Sequence, residues 1–271
     1  MNRNSDINSN INAAADLILS SNYIVVLTGA GSSTPSGIPD FRSPDNGLWT
    51  RFEPMEVASL TSFRYSPEKF FEWLRPLART LLEARPNPFH YAVRTLEIKT
   101  NLKTVITQNI DGLHQKAGSK AVIEVHGSIK TMSCIGCYRT YPSDDFILPY
   151  IDNGVIPTCA KCGCILKPNV ILFEEQLPVD AWLKAKVAID KCDLLIVAGS
   201  SLTVTPVAHL PIRALDNNAK VVLVNQTPTY IDDFCTIALR GDVVDIIPAI
   251  THKVLNTLPS ISETFSEINP K

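Results

Sequence analysis

Short apolar runs recur along the chain, and each empties into small or polar residues. Tyr23–Leu27 runs into Thr28-Gly29-Ala30-Gly31, Lys103–Thr107 into Gln108-Asn109, Ala121–Val125 into His126-Gly127-Ser128, Asp193–Ala198 into Gly199-Ser200-Ser201, and Lys220–Val224 into Asn225-Gln226. The runs are rich in β-branched residues and show little alternation, the pattern of strands buried on both faces of a parallel sheet. Between them lie stretches of helical period. In Asp6–Ser20, Ile7, Ile11, Ala14, Ala15, Ile18 and Leu19 fall on one face. Ser66-Pro67 reads as an N-cap with proline at the first helical position, opening a helix with Phe70, Phe71, Trp73, Leu74 and Leu77 that Pro76 should kink or end. Asp242–Ile247 reads as a last edge strand. The chain is therefore of the α/β class, with several strand ends converging on one crevice.

The first strand feeds the most informative turn. Glycines directly after a buried strand let backbone N–H groups approach a pyrophosphate without Cβ interference, so Gly29-x-Gly31 is a candidate dinucleotide loop. The third glycine of the usual fingerprint is replaced by Thr34, and an ordinary tight turn explains the pair about as often. Ile38-Pro39-Asp40-Phe41-Arg42 adds a carboxylate, an aromatic ring and a guanidinium beside it, and the turn-rich Ser43–Gly47 reads as a lid. At the second strand end, Gln108, Asn109 and Asp111 offer hydrogen bonds for ribose hydroxyls and a carboxamide, where an Asx-turn alone would account for one of the three. At the third, His126 is placed for acid/base work.

Length and charge narrow the classes. At 271 residues the chain suits one large domain, alone or with a small insert, and Lys plus Arg (25) nearly balance Asp plus Glu (27), a net charge of −2 that implies no broad attraction to nucleic acid or anionic membrane. The Asn- and Ser-rich start lacks the order of a signal peptide, and no apolar run is long enough to span a bilayer, so a cytoplasmic protein is expected. Seven cysteines then read as thiols or metal ligands before disulfides. Cys134-x-x-Cys137 and Cys159-x-x-Cys162 form two knuckles, a strong sign of one structural zinc ion in a closed four-thiolate shell. Cys164 competes with Cys162, which keeps the knuckle spacing.

In order along the chain, Gly29-Ala30-Gly31 through Gly37-Ile38-Pro39-Asp40-Phe41-Arg42, Thr107–His114, His126-Gly127, the cysteine quartet, Lys167-Pro168-Asn169 and Gly199-Ser200-Ser201-Leu202 resemble the sirtuins, NAD-dependent protein-lysine deacylases, and most of all their bacterial members. The resemblance spans about Asn22 to Ile247. It implies a single catalytic domain over 1–271, α/β, with a Rossmann-like parallel sheet of about 1–42, 92–128 and 176–258, an inserted zinc lobe of about 129–167, and a helical segment of about 43–91. It further implies NAD held by Ala30, Thr34, Phe41, Arg42, Ser200, Ser201 and Asn225, with Gly29, Gly31, Ser33, Asp40, Gly199 and Val243 completing the set. Gln108 then serves the ribose, and Ile110 and Asp111 the nicotinamide. Asn109 orders the ribose side, His126 is the general base, and an acylated-lysine protein or peptide pairs along Ile171, Phe173 and Glu174.

Two departures qualify the resemblance. Sirtuins usually carry Phe-Gly-Glu where this chain has Phe173-Glu174-Glu175. A glutamate there implies an ordinary extended backbone, and its carboxylate, with Glu175 beside it, should favour basic residues near the modified lysine. Succinyl-selective members carry a Tyr-x-x-Arg pair where Leu74 and Leu77 align, so a neutral acyl group is expected. A monomer is expected. The competing functions are an NAD glycohydrolase or ADP-ribosyltransferase, a zinc dehydrogenase, which lacks a second ligand set, and a non-enzymatic NAD-sensing module.

Overall fold

The computed structural model describes residues 3–41 and 47–258, with side chains from residue 7 onward. The chain enters through helix α1 (Arg3–Ser20) and the wholly buried strand β1 (Ile24–Thr28). Two 3-10 turns, Ala30–Ser32 and Thr34–Ser36, then replace the long helix that a dinucleotide fingerprint would open. A third such turn, Leu48–Thr50, leads to α2 (Pro54–Val57), α3 (Leu60–Tyr65), α4 (Pro67–Glu83) and α5 (Pro88–Lys99). Next come β2 (Leu102–Thr107), α6 (Leu113–Lys116), β3 (Val122–Glu124), β4 (Gly127–Cys134), β5 (Thr140–Pro142), α7 (Asp144–Asn153) and β6 (Leu166–Val170). The chain closes with α8 (Val179–Lys191), β7 (Leu194–Ala198), α9 (Leu210–Asp216), β8 (Lys220–Asn225), β9 (Ile237–Arg240) and α10 (Val243–Thr257).

Six strands form one parallel sheet in the order β3-β2-β1-β7-β8-β9. From β1 the chain first builds outward through β2 and β3, then returns to place β7 on the other side of β1. The strand order therefore reverses between β1 and β7, where an open α/β sheet leaves a crevice at its carboxyl ends. Alternate residues of each strand face opposite layers. Val26, Val105 and Ile196 pack on α1, α5 and α10, while Val25, Leu27, Leu195 and Val197 pack on α8 and α9. Between β3 and β7 a second, antiparallel sheet of order β5-β4-β6 carries the cysteines, and α4 packs with α7 around Phe63, Phe70, Phe71 and Tyr150.

Two helical readings need correction. Asp242–Ile247 is not an edge strand: Asp242 caps α10 by accepting from Val244 N at 3.1 Å, and Val243, Ile246, Ile247, Ile250 and Val254 form its buried face. The edge strand is β9, too short to stand out. Pro76 neither ends nor divides α4, because Pro76 and Glu72, whose carbonyl loses its helical donor, both lie on the exposed face where water can serve that oxygen. Beneath the site, His90 and His114 are fully buried with ring centroids 4.9 Å apart. Burial pushes the His90 imidazole down to about 3 and the His114 imidazole to about 4, so both rings are neutral.

Candidate active site

The loops that follow β1 and β7 interlock. Gly29 N donates to Ala198 O at 3.3 Å and Gly31 N to Gly199 O at 2.9 Å, so these two amides serve the neighbouring loop and are not left for a pyrophosphate. The glycines are needed for this close approach. A Cβ on Gly29 or Gly31 would stand 2.9 Å from Gly199 O, and one on Gly199, whose φ is +62°, 2.5 Å from Ser32 N.

The polar groups at the end of β2 fasten onto the same loop. Asn109 Nδ2 donates within 3.0–3.1 Å to Gly29 O, Ser32 Oγ and Ser33 Oγ, which makes Asn109 a tie for the loop. Ser33 Oγ donates in turn to Asp111 Oδ2 at 2.7 Å, and Leu113 N to Asp111 Oδ1 at 2.8 Å. Burial nevertheless holds the Asp111 carboxyl above its usual value, against these two bonds. Gln108 Nε2 donates to Ser200 Oγ at 2.9 Å, joining β2 to the β7 loop. His126 leaves β3 with its Nδ1 3.0 Å from the Gln108 carbonyl oxygen. A carbonyl only accepts, so Nδ1 carries the proton and Nε2 is the basic nitrogen of the neutral ring.

Every predicted catalytic, cofactor and substrate residue among the described residues lines one cavity of about 770 Å³. Arg42 and residues 43–46 of the expected lid lie outside the described residues. The other side of the cavity is built by α4, with Leu74 and Leu77 in its wall, and by rings distant in sequence: Phe41 stacks on Trp49 at 5.2 Å and Trp49 on Trp73 at 5.8 Å, with Phe173 6.0 Å from Trp49. Trp49 escaped the sequence reading because only the fold brings residues 41, 49, 73 and 173 together. The same holds for Ala58 and Leu60, which clamp Phe173 through Phe173 N to Ala58 O (2.9 Å) and Leu60 N to Phe173 O (3.0 Å).

Glu174 departs from its expected conformation. Its φ is +71°, in the left-handed region, and its carboxylate turns to α3, accepting from Thr61 N at 2.8 Å. The Thr61 hydroxyl, then this amide, with Arg64 nearby, hold the carboxyl below its usual value. Glu175 is also committed, to Lys167 Nζ at 2.9 Å and Leu172 N at 2.8 Å. Both carboxylates thus bind the protein's own groups. Glu174→Gly is expected to melt close to wild type, since relief of the left-handed backbone offsets loss of the Thr61 bond, whereas Glu174→Ala loses the bond, keeps the strain and should melt roughly 2–4 °C lower. Equal melting of the two variants in a calorimeter would show that the backbone angle carries no cost.

The cysteines form a separate centre. The sulfurs of Cys134, Cys137, Cys159 and Cys162 all lie within 4.8 Å of one another, with 3.4 Å between Cys134 and Cys162 and 3.6 Å between Cys137 and Cys159. A tetrahedral ion with Zn–S bonds of about 2.3 Å sets its ligands about 3.8 Å apart, so the quartet fits one zinc ion. Hydrogen-bond donors favour the thiolate at two of the four: the Tyr141 hydroxyl, 3.1 Å from Cys159 Sγ, brings that thiol down to about 6, and Cys137 N–H lowers Cys134, whereas the sulfurs around it push Cys162 up to about 12. Cys164 stands outside the quartet. None of the four ligands lines the cavity.

A parallel sheet open at its switch point, with a closed-shell metal lobe inserted after its third strand, defines a Rossmann-like nucleotide-binding protein. The Sir2 family model matches residues 29–206, and the chain belongs to that family. It is 42% identical over 245 residues to NAD-dependent protein deacylase 2 of Archaeoglobus fulgidus, covering 90% of this chain and 96% of that protein. It is 40% identical over 255 residues to NAD-dependent protein deacetylase 1 of Geobacillus kaustophilus, covering 93% and 98%. Among solved structures, a Sir2–p53 peptide–NAD+ complex matches with a TM-score of 0.81 at 38% identity, covering 89% of this chain and 97% of that one.

Proposed function

We propose that the protein is an NAD-dependent protein-lysine deacylase that removes neutral acyl groups, acetyl foremost. The observation that carries this reading is the placement of His126: its Nδ1 lies 3.0 Å from the Gln108 carbonyl oxygen, which leaves Nε2 for the base role, and the ring shares one cavity with the Gly29–Thr34 loop and the Ile171–Glu174 segment. Relatives named as deacylases and deacetylases, and a structure holding peptide and NAD together, support it.

When bound, NAD supplies the ribose carbon that accepts the acyl oxygen and the hydroxyls that take over the acyl group, with release of nicotinamide. The chain's residues bind, orient and deprotonate. Ala30, Thr34, Ser200, Ser201 and Asn225 line the cavity around the strand ends and hold the dinucleotide, and Gln108, anchored on Ser200, is directed to the ribose. Asn109 acts through the loop it ties down. Ile110, Asp111 and the Phe41 ring form the nicotinamide side, with Phe41 backed by Trp49 so that water is excluded while the bond to nicotinamide breaks. His126 Nε2 would take the proton of a ribose hydroxyl of the bound dinucleotide, acting as general base for acyl transfer. Leu74 and Leu77 give the acyl end an apolar wall, which suits acetyl or propionyl and leaves the charge of succinyl unpaired.

Plain NAD hydrolysis needs no such base, and His126 therefore favours deacylation over glycohydrolase chemistry. The protein acts as a cytoplasmic monomer; its near balance of charge speaks against a broad nucleic-acid or anionic-membrane surface, and among the described residues no helix is long and apolar enough to cross a membrane. The test is incubation with NAD and acetyl-, propionyl- and succinyl-lysine peptides of one sequence. Acetyl and propionyl peptides should lose their acyl group with one nicotinamide released per peptide and the succinyl peptide should lag. Free ADP-ribose with unaltered peptides would overturn the reading.

A further inference from the structure

Helix α8 exposes a row of aliphatic side chains, which is costly in water unless something covers it. Val179, Leu183 and Val187 recur every four residues and are 67%, 50% and 51% exposed. Its opposite face, Ala185, Ala188 and Ile189, is buried against the sheet. The row is not uniform. Val179 and Leu183, with Trp182 between them, line the cavity that holds His126 and Phe173, as do Val204, Thr205 and Pro206 of the β7–α9 connection; their exposure puts them at its rim, whereas Val187, one turn further on, does not line it. Lys186 Nζ covers the Trp182 ring at 5.8 Å, and Lys184 is paired with Asp180 at 2.7 Å, so the ledge between them is apolar and free of unpaired acid.

We propose that Val179, Trp182 and Leu183 form a ledge that takes an apolar side chain of the substrate protein flanking the acyl-lysine. The inference rests on the deacylase reading and extends its cleft. An acyl-lysine reaching His126 from outside must bring its flanking residues across the mouth, and this ledge is continuous with that path. Burial against it stabilises a leucine or phenylalanine in that flank and does nothing for aspartate or serine. A second copy of the chain fits less well as occupant, since a few half-exposed aliphatic side chains offer far less than the roughly 800 Å² per partner of a stable interface.

The experiment compares acetyl-lysine peptides with leucine or serine at successive flanking positions, assayed with wild type, Leu183→Ser, Val179→Ser and Val187→Ser, together with sedimentation velocity on each protein. Wild type is expected to prefer leucine at one or two positions by about tenfold in kcat/KM, through KM. The preference should fall to about one in Leu183→Ser and weaken in Val179→Ser, while Val187→Ser keeps it. No preference in wild type, equal loss in Val187→Ser, or a concentration-dependent dimer that Leu183→Ser abolishes would each overturn the ledge. Turnover of the serine-flanked peptide separates this from failure of the deacylase reading, which would leave every peptide intact.

Discussion

His126→Ala should lower the rate of peptide deacylation by ~10²–10⁴ while NAD affinity stays within a few-fold of wild type. The size follows from the ring's position. Nδ1 is fixed on the Gln108 carbonyl, and no other histidine among the described residues lines the cavity: His90 and His114 are buried and neutral, His114 against Thr28 Oγ1 and His90 against Asn87. Affinity should survive because the interlocked loops and their ties to Asn109 and Gln108 do not depend on the imidazole. Initial rates together with calorimetric NAD titration check both halves. Full deacylation by the variant would remove His126 from the base role, and lost NAD binding would make it a binding group.

Loss of the metal is expected to have the second large effect, and an indirect one. Purified without chelator, the protein should carry one zinc per chain, and Cys159→Ser or exhaustive chelation should abolish activity by unfolding the small sheet. The route to the site is short. Strands β4 and β6, which carry or flank the ligands, pair Gly127 with Val170 at their far ends, and there Ile171 N donates to His126 O at 2.9 Å. Melting this sheet releases the base and the segment proposed for the peptide together. Metal analysis and circular dichroism of Cys159→Ser provide the check: an unchanged spectrum with full activity would refute the structural role.

Most strands that carry the site are legible because they are buried on both faces and end in chemistry, as with Lys103–Thr107 before Gln108 and Asp193–Ala198 before Gly199, while the half-buried Val122–Glu124 is legible from its β-branched run before His126. The knuckles were visible because thiolate spacing is local. Burial and capping, which are not local, account for the errors. Val243–Ile247 has the β-branched content of a strand, and only Asp242 bonding to Val244 N reveals a helix start. The true edge, Ile237–Arg240, buries just two of its four side chains. Glutamate avoids positive φ, which argues for an extended backbone at Glu174, yet the main-chain bonds of Phe173 to Ala58 and Leu60 and of Glu175 to Leu172 set the turn, and the Glu174 carboxylate adds a bond to Thr61 N, more than a hundred residues away in the chain. The aromatic wall of Phe41, Trp49, Trp73 and Phe173 is likewise a product of the tertiary fold.

The interlock of Gly29, Gly31 and Gly199 bears on how freely this sequence can drift. A β-carbon at Gly29 or Gly31 collides with Gly199 O, and one at Gly199 collides with Ser32 N and with the Gly31 carbonyl carbon 2.7 Å away. The obstacles are main-chain atoms, which every amino acid shares. No replacement elsewhere can trim them, so suppressor mutations of the kind that rescue an overfilled core are closed to these three positions. In a saturation library the three should therefore stay invariant in every genetic background, while the exposed Glu174 and the α8 row accept change and leave room for divergence in substrate choice.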